Sequence, residues 1–581
     1  MAYITHRKSG NNTYYYIARS EWKNGRSHQV IIDRLGTAEQ LFAARADIQS
    51  KAETPETPET KHPDIVRVLS FGAEAALYDL SERLGVADII NKYAKKRSQG
   101  LSIGSYIQLA AINRAIAPVS KLSFFQWFRQ TSLTGMFPDA AKHSLSSQSF
   151  WNHMTGLDQE QITAIEDELT AVIVNKYKVS TGSLLFDNTN FMTYIDTSNP
   201  AAIPQRGHSK EKRTDLKIIG LSLMVSPEFN IPLFHEIYPG NKCDSKQFID
   251  IIDKLKARSA LMSDDKNDTT LIFDKGNNSE NIVAMLEDDT IQKYHFVGGL
   301  RLNQCPELLE TERNQYAPLV GAQFKKASAF RTQKEVCNQL ATVLVTDNPC
   351  LRDSQLVGIE ANMDKCKKSL QALKDRLQLR AEGKISKGKK PTFDSVSKNV
   401  KDILSADYMK KIFKFNIGIG NDNHIYIDYY IDYNSLDIVK SNHLGKTILF
   451  TNRNDWSNEQ IVAAYRAQFH VEEDFRQMKN IKYLSFRPVR HFTDRTIRVH
   501  AFYCVLALTL CCLLKLEMNE LGHDISINRL LTELNSAKQV LAINFGEKKD
   551  QQRVTSYFSE SSNISQDYIN KYHLQRYGAK L

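Results

Sequence analysis

The chain opens with two runs in which apolar and polar residues alternate, TYYYIARS (13–20) and HQVIIDRLG (28–36), with Asn24-Gly25 between them. Period-two alternation around an Asn-Gly dipeptide predicts an N-terminal β-hairpin module over residues 1–50, its strands ending at Gly36. KAETPETPETKHP then repeats Thr-Pro-Glu without an apolar anchor, which predicts a flexible linker over 51–63. Over 64–180 the apolar period becomes helical, in IGSYIQLAAINRAI and LDQEQITAIEDELTAVIVNKY, and SSQSFWNHM offers a Ser at a helix cap. An α-helical domain is expected there.

At Gly182 the pattern changes again. SLLFD, FMTYID, KIIGLSLMV and IPLFHEIY are strand-like, with SPEFN as the turn between the last two. A helix at SKQFIDIIDKLKARS, a buried strand at TTLIFD, a helix at SENIVAMLED and a strand at YHFVGG follow. This order is α/β, but it begins with antiparallel hairpins instead of βαβ units. Residues 301–440 interrupt it with a charged helical stretch, the Lys/Gly-rich KISKGKKP and strand-like HIYIDYYIDY, and are expected to form an insertion domain. The α/β pattern occupies 181–300 and resumes over 441–520, where KTILFTN leads into one strong helix from Asn458 to about Lys479. A C-terminal helical region is expected over 521–581.

Composition adds bounds. The chain has 581 residues, 42% hydrophobic and 24% charged, enough apolar material for a large core and several domains. Lys and Arg exceed Asp and Glu by 76 to 66, a net charge of +10 that suits a polyanionic partner without requiring one. The eight cysteines, Cys243, Cys305, Cys337, Cys350, Cys366, Cys504, Cys511 and Cys512, form no CxxC pair and no zinc-type spacing. The longest apolar stretch, Ala501 to Leu514, reads as too short to span a bilayer, and MAYITHRKSG has no apolar signal core. A reduced, cytoplasmic protein without a membrane segment is expected.

Asp187 ends the run Leu184-Leu185-Phe186, and Asp274 ends the nearly identical Leu271-Ile272-Phe273. A carboxylate at the end of a buried strand is costly unless it is paired or binds a cation. Two such strands can place two carboxylates side by side, where a hard cation relieves their repulsion. Taken singly, each Asp reads more readily as a cap on the following turn or helix, and only the pair brings the two readings level. In the helix AAYRAQFHVEEDFRQMKN, Val471, Phe475 and Met478 form a core-facing stripe. Tyr465, Gln468, Glu472, Arg476 and Lys479 share a second face, which for a lone helix is also what a solvated row of ion pairs looks like.

That helix resembles the Tyr-x2-Arg-x3-Glu-x6-Lys signature of DDE transposases encoded by insertion sequences. Tyr465, Glu472 and Lys479 match it in spacing, and Gln468 stands at the Arg position. LLFDNTN and LIFDKGNNSE are similar to the family's strand-ending Asp motifs. RGHSKEKRTDLK and the Pro-Gly-Asn of IYPGNKCD resemble its intervening motifs. The resemblance spans roughly 182–515, and the opening β-hairpin module also resembles that of one subgroup of the family. It implies an RNase H-like core with a β-containing insertion, the first Asp on the first strand, the second after the fourth, and the Glu on a late helix.

The resemblance further implies that Asp187, Asp274 and Glu472 hold two Mg²⁺ or Mn²⁺ ions at a scissile phosphate. Tyr465, Gln468, Arg476 and Lys479 would contact DNA, as would Lys210 and Arg213 from the basic loop that also carries Arg206, His208 and Lys212. That loop is equally readable as a solvated hairpin. The implied partner is double-stranded DNA, both element ends and target, bridged by a homodimer. The helical domain, together with the N-terminal module, is the expected seat of end recognition, with Trp127, Arg129 and Trp151 as candidates, although buried tryptophans usually pack core. The alternatives are a nuclease without strand transfer and a domesticated or inactive DNA-binding protein.

Overall fold

The computed structural model describes residues 2–10, 12–23, 26–43, 63–96, 100–142, 145–262, 268–288, 294–420, 423–545 and 552–580. The Asn24-Gly25 turn and the linker over 51–62 lie outside the described residues. The chain divides into two compact units, Met1–Val66 with Ala542–Arg553, and Arg67–Leu541 with Val554–Leu581.

In the first unit, β1 (Ala2–Ser9), β2 (Asn12–Lys23) and β3 (Arg26–Thr37) form an antiparallel sheet in the order β1-β2-β3. The expected hairpin is therefore preceded by a third strand. Ser9 pairs with Asn12 across a tight turn in which Gly10 takes a positive φ.

The second unit is built on a nine-stranded sheet. Its heart is β4 (Ser183–Met192), β5 (Ile218–Val225), β6 (Pro232–Pro239), β7 (Thr270–Phe273) and β8 (His295–Leu300). These lie in the order β6-β5-β4-β7-β8. β5 runs antiparallel to both β4 and β6, whereas β7 runs parallel to β4 and β8 parallel to β7. This is the RNase H-like order. All eight β5 residues are buried, as are all four of β7, because helices cover both faces. Such strands read as continuous apolar runs, hence GLSLMV and TLIF.

Beyond β8 the sheet continues through β9 (Ala317–Pro318), β10 (Ser328–Val336), β11 (Gln339–Asp347) and β14 (Lys446–Thr451), in the order β9-β10-β11-β14-β8. The block expected as an insertion over 301–440 thus divides at Asn348. Its first part extends the central sheet. Its second part runs from Pro349 to Leu444 and has its own core of Ile359, Leu370, Val400, Ile412 and Phe413 among others. That module consists of the 33-residue helix Pro349–Ala381, shorter helices, and a hairpin of β12 (Phe413–Ile419) and β13 (Ile425–Ile431). Its two ends meet at a narrow neck: the Asn348 N–H donates to Gly445 O at 2.9 Å, and Asp347 pairs with Lys446.

The expected helices Ile103–Ile116 and Gln159–Tyr177 are present, the second closed by a full capping box at Asp158 and Gln161. Ser146 caps Ser147–Met154 through Ser149 N. The helices between Gly72 and Tyr177 share one continuous apolar core with the sheet, so no separate core marks a boundary near residue 180. The Ala501–Leu514 stretch lies inside the 27-residue helix Asp494–Glu520, long and apolar enough by composition to cross a membrane, yet its apolar window is 94% buried within the protein. The C-terminal region is not purely helical: strands Lys538–Phe545 and Gln552–Phe558 interrupt it.

Candidate active site

The register of two parallel strands sets the site. Leu184 pairs with Leu271, Leu185 with Ile272 and Phe186 with Phe273. The next residue on each strand is an aspartate, so Asp187 and Asp274 stand side by side where the apolar runs end. Both are half-buried. Burial pushes the Asp187 carboxyl up to about 6; Lys210 and the Asn188 N–H lower it, while Asp274 and Asp244 add to the rise.

Fixed hydrogen bonds hold this edge. Asn188, fully buried, accepts from Ser222 Oγ at 2.6 Å and donates to Asn277 Oδ1 at 3.4 Å. The basic loop after Arg206 folds back onto β4, where Lys210 Nζ donates to Asn188 O and Lys210 N to Asn190 Oδ1 at 3.2 Å. Gly207 permits that approach, since a Cβ there would meet Gly240 O at 2.0 Å. Lys479 Nζ donates to Thr189 Oγ1 at 3.0 Å, and burial lowers its pKa, with Lys210 adding to the fall. Two lysines therefore flank the aspartate pair.

The expected single helix is broken. Asn458–Arg466 and Phe469–Met478 are separated by a turn at Ala467-Gln468. Val471, Phe475 and Met478 are buried as predicted. Tyr465 lies across β8, its hydroxyl donating to Asp274 Oδ1 at 2.9 Å. Burial and the Asp274 charge hold the Tyr465 proton on, raising its pKa. A Cβ at Gly299 would stand 2.4 Å from Tyr465 Oη, so glycine is what lets the ring sit there. Gln468 is 8% exposed. In the amide orientation that satisfies its surroundings, its oxygen accepts from Asp274 N at 2.7 Å and Phe273 N at 3.2 Å. Arginine has no acceptor and could not make those bonds.

Glu472 is exposed in the first turn of Phe469–Met478, within electrostatic reach of Tyr465. No group of three His, Cys, Asp or Glu side chains is close enough to hold a metal ion among the described residues. The two aspartates stand together, and Glu472 does not complete a three-carboxylate cluster with them.

The remaining candidate residues have partners of their own. Arg476 points outward and pairs with Glu473, its side chain 76% exposed. Arg213 pairs with exposed Asp215. Trp127 packs in the core, and Trp151 stacks between Lys121 and Phe492. His500 is buried, hydrogen-bonded to His491 and Phe486 O. A residue that sequence reasoning passed over is Asp244, which begins the helix Asp244–Met262, accepts from Tyr238 Oη at 2.9 Å and acts electrostatically on Asp187. The only signal for it was its place just after the Pro-Gly-Asn motif.

The Transposase DDE domain family matches residues 193–510, more than half of the chain. The chain belongs to that family. The protein is thus a DDE transposase, an enzyme acting on DNA. The match includes Asp274, Glu472 and Lys479, and begins just after β4, so Asp187 lies immediately before it. Among solved structures, the chain is similar to the piggyBac transposase of a cryo-EM synaptic complex with hairpin DNA, at 10% identity, 79% coverage of each chain and a TM-score of 0.37. No curated protein matches the sequence.

Proposed function

We propose that this transposase is encoded by an insertion sequence, binds the element's ends, cleaves phosphodiester bonds there and transfers the freed 3′ ends to target DNA. The observation that carries this reading is the in-register pair of Asp187 and Asp274, flanked by Lys210 and Lys479. Paired carboxylates at a half-buried edge, one already driven upward by burial and by its neighbours, make a donor set of hard oxygens that fits Mg²⁺ or Mn²⁺ better than a soft metal. Asp187 and Asp274 would hold two such ions, with Glu472 as third carboxylate by its place in the signature. Bound there, the ions would activate water or a 3′-hydroxyl and stabilise the leaving oxygen.

The chain's own groups do the rest. Gln468 fixes the backbone at Asp274. Tyr465 keeps its proton and orients the Asp274 carboxylate. Lys479 and Lys210 offer point charges to the phosphates beside the cut. The basic lysines and the paired acids support one strand of DNA passing over the edge of β4 and β7. Synapsis of two ends calls for a homodimer, and the site of action is the nucleoid in the cytoplasm. A gel assay on DNA carrying the element's termini tests this. Cleavage in Mg²⁺ or Mn²⁺ that stops with EDTA, followed by joining of the 3′ ends, is expected. Cleavage that persists in EDTA would overturn the metal assignment, and cleavage without joining would favour a nuclease.

A further inference from the structure

A groove of about 1130 Å³ runs between the central sheet and the 349–444 module. It starts at the candidate active site, because Tyr465, the partner of Asp274, and Lys275, the next residue after Asp274, both line it. Arg301, just past β8, continues the sheet-side wall. Lys410 and Lys411 line the wall contributed by the module. These four cations come from three segments far apart in sequence, and all four are exposed. None of them forms an ion pair among the described residues. Asp407 is the single acid in the lining.

Protein surfaces usually intersperse charges of both signs, which self-neutralise locally. A groove with four unpaired cations against one carboxylate is left with a positive field, focused by its walls. Lys446 in the floor does not share this role, since it is buried and its ammonium donates to Leu309 O. The field leads directly to Asp274.

We infer that this groove is a track for the DNA backbone, in which Lys410 and Lys411 of the module and Lys275 and Arg301 of the sheet grip phosphates on opposite sides of the strand that enters the active site. The inference rests on the DNA-processing reading above but concerns grip, not chemistry. Each lysine bound to a phosphate releases condensed counterions, so the salt dependence of binding counts such contacts.

The test is binding of the full-length protein to a fluorescein-labelled random-sequence duplex of about 30 bp across a KCl series, which needs no cleavage. Lys410→Glu/Lys411→Glu should weaken binding about 10-fold or more near 0.1 M salt and flatten the log–log salt slope by about 2. Lys389→Glu/Lys390→Glu, equally exposed lysines that do not line the groove, should leave the slope nearly unchanged. An unaltered slope in the first variant, or an equal change in both, overturns the inference. Should the first variant fail to fold by circular dichroism, Lys275→Gln/Arg301→Gln on the other wall must show the same flattening, and its absence overturns the inference as well. Failure of the catalytic reading would show separately, as cleavage by Asp187→Ala with binding intact.

Discussion

The strand-borne and helix-borne parts of the candidate site are built to different tolerances. Asp187 and Asp274 end two buried runs whose parallel register leaves neither carboxylate a choice of neighbour. Slipping that register by one residue would turn every side chain of the strand to the opposite face, so the pair is as fixed as the core itself. Glu472 sits exposed on a short helix that restarts after a break, outside any three-residue cluster of metal-binding side chains among the described residues. That helix is held to the sheet by its buried Val471, Phe475 and Met478, by Lys479 on Thr189 and by Gln468 on the Phe273 and Asp274 backbone, while Tyr465 at the end of the preceding helix reaches the Asp274 carboxylate. The comparison teaches that two carboxylates are set by strand register, while the third is placed by a helix that restarts after a break.

The sharpest way to break this contrast is to remove the carboxylates. Asp187→Ala, Asp274→Ala and Glu472→Ala should each reduce metal-dependent cleavage about a thousandfold or more while DNA binding persists. Near-normal cleavage by Glu472→Ala alone would show that only the sheet takes part in chemistry. The next test loosens the fastening. Gln468→Arg replaces a buried acceptor with a charged donor facing two N–H groups, and should cost about 3 kcal/mol in denaturant unfolding. An unchanged midpoint would mean the position tolerates a cation, as the family signature implies.

A smaller effect is expected from Gly299→Ala, which forces Tyr465 off Asp274. About a tenfold loss of cleavage, matched by Tyr465→Phe, is expected. A loss in the glycine variant without one in Tyr465→Phe would assign the effect to the β8 backbone. The smallest is Arg476→Ala. Its side chain is exposed and pairs with Glu473, so end binding and cleavage should stay within about twofold. A larger loss would return Arg476 to the DNA-facing surface.

Much of this was legible in the sequence because it was written in local pattern. A continuous apolar run closed by an acid, as in LLFD and LIFD, reports a strand buried on both faces and its exit. The hairpins of β4, β5 and β6 and the capped helices are of the same kind. What escaped detection was set by distant contacts. Ala467 and Gln468 are good helix formers, so nothing local marks the break between them. It follows from Gln468 meeting the end of β7. Strand β10 is half-exposed, with Arg331, Thr332, Gln333 and Lys334 in its middle, and its place in the central sheet follows from pairing with apolar β11. Tyr465 reads as a phosphate contact in the motif, and only the glycine opposite it shows where the ring lies.

The neck at Asn348 and Gly445 has a consequence for the lineage. Entry to and exit from the Pro349–Leu444 module are hydrogen-bonded neighbours on adjacent strands, as close as the ends of a simple hairpin turn. Whatever happens beyond that neck, lengthening, shortening or wholesale exchange, leaves the pairing of β11 with β14 undisturbed. The Leu184–Phe186 and Leu271–Phe273 pairing deeper in the sheet is equally untouched. The module is thus a graft whose size and shape can vary without moving the two aspartates.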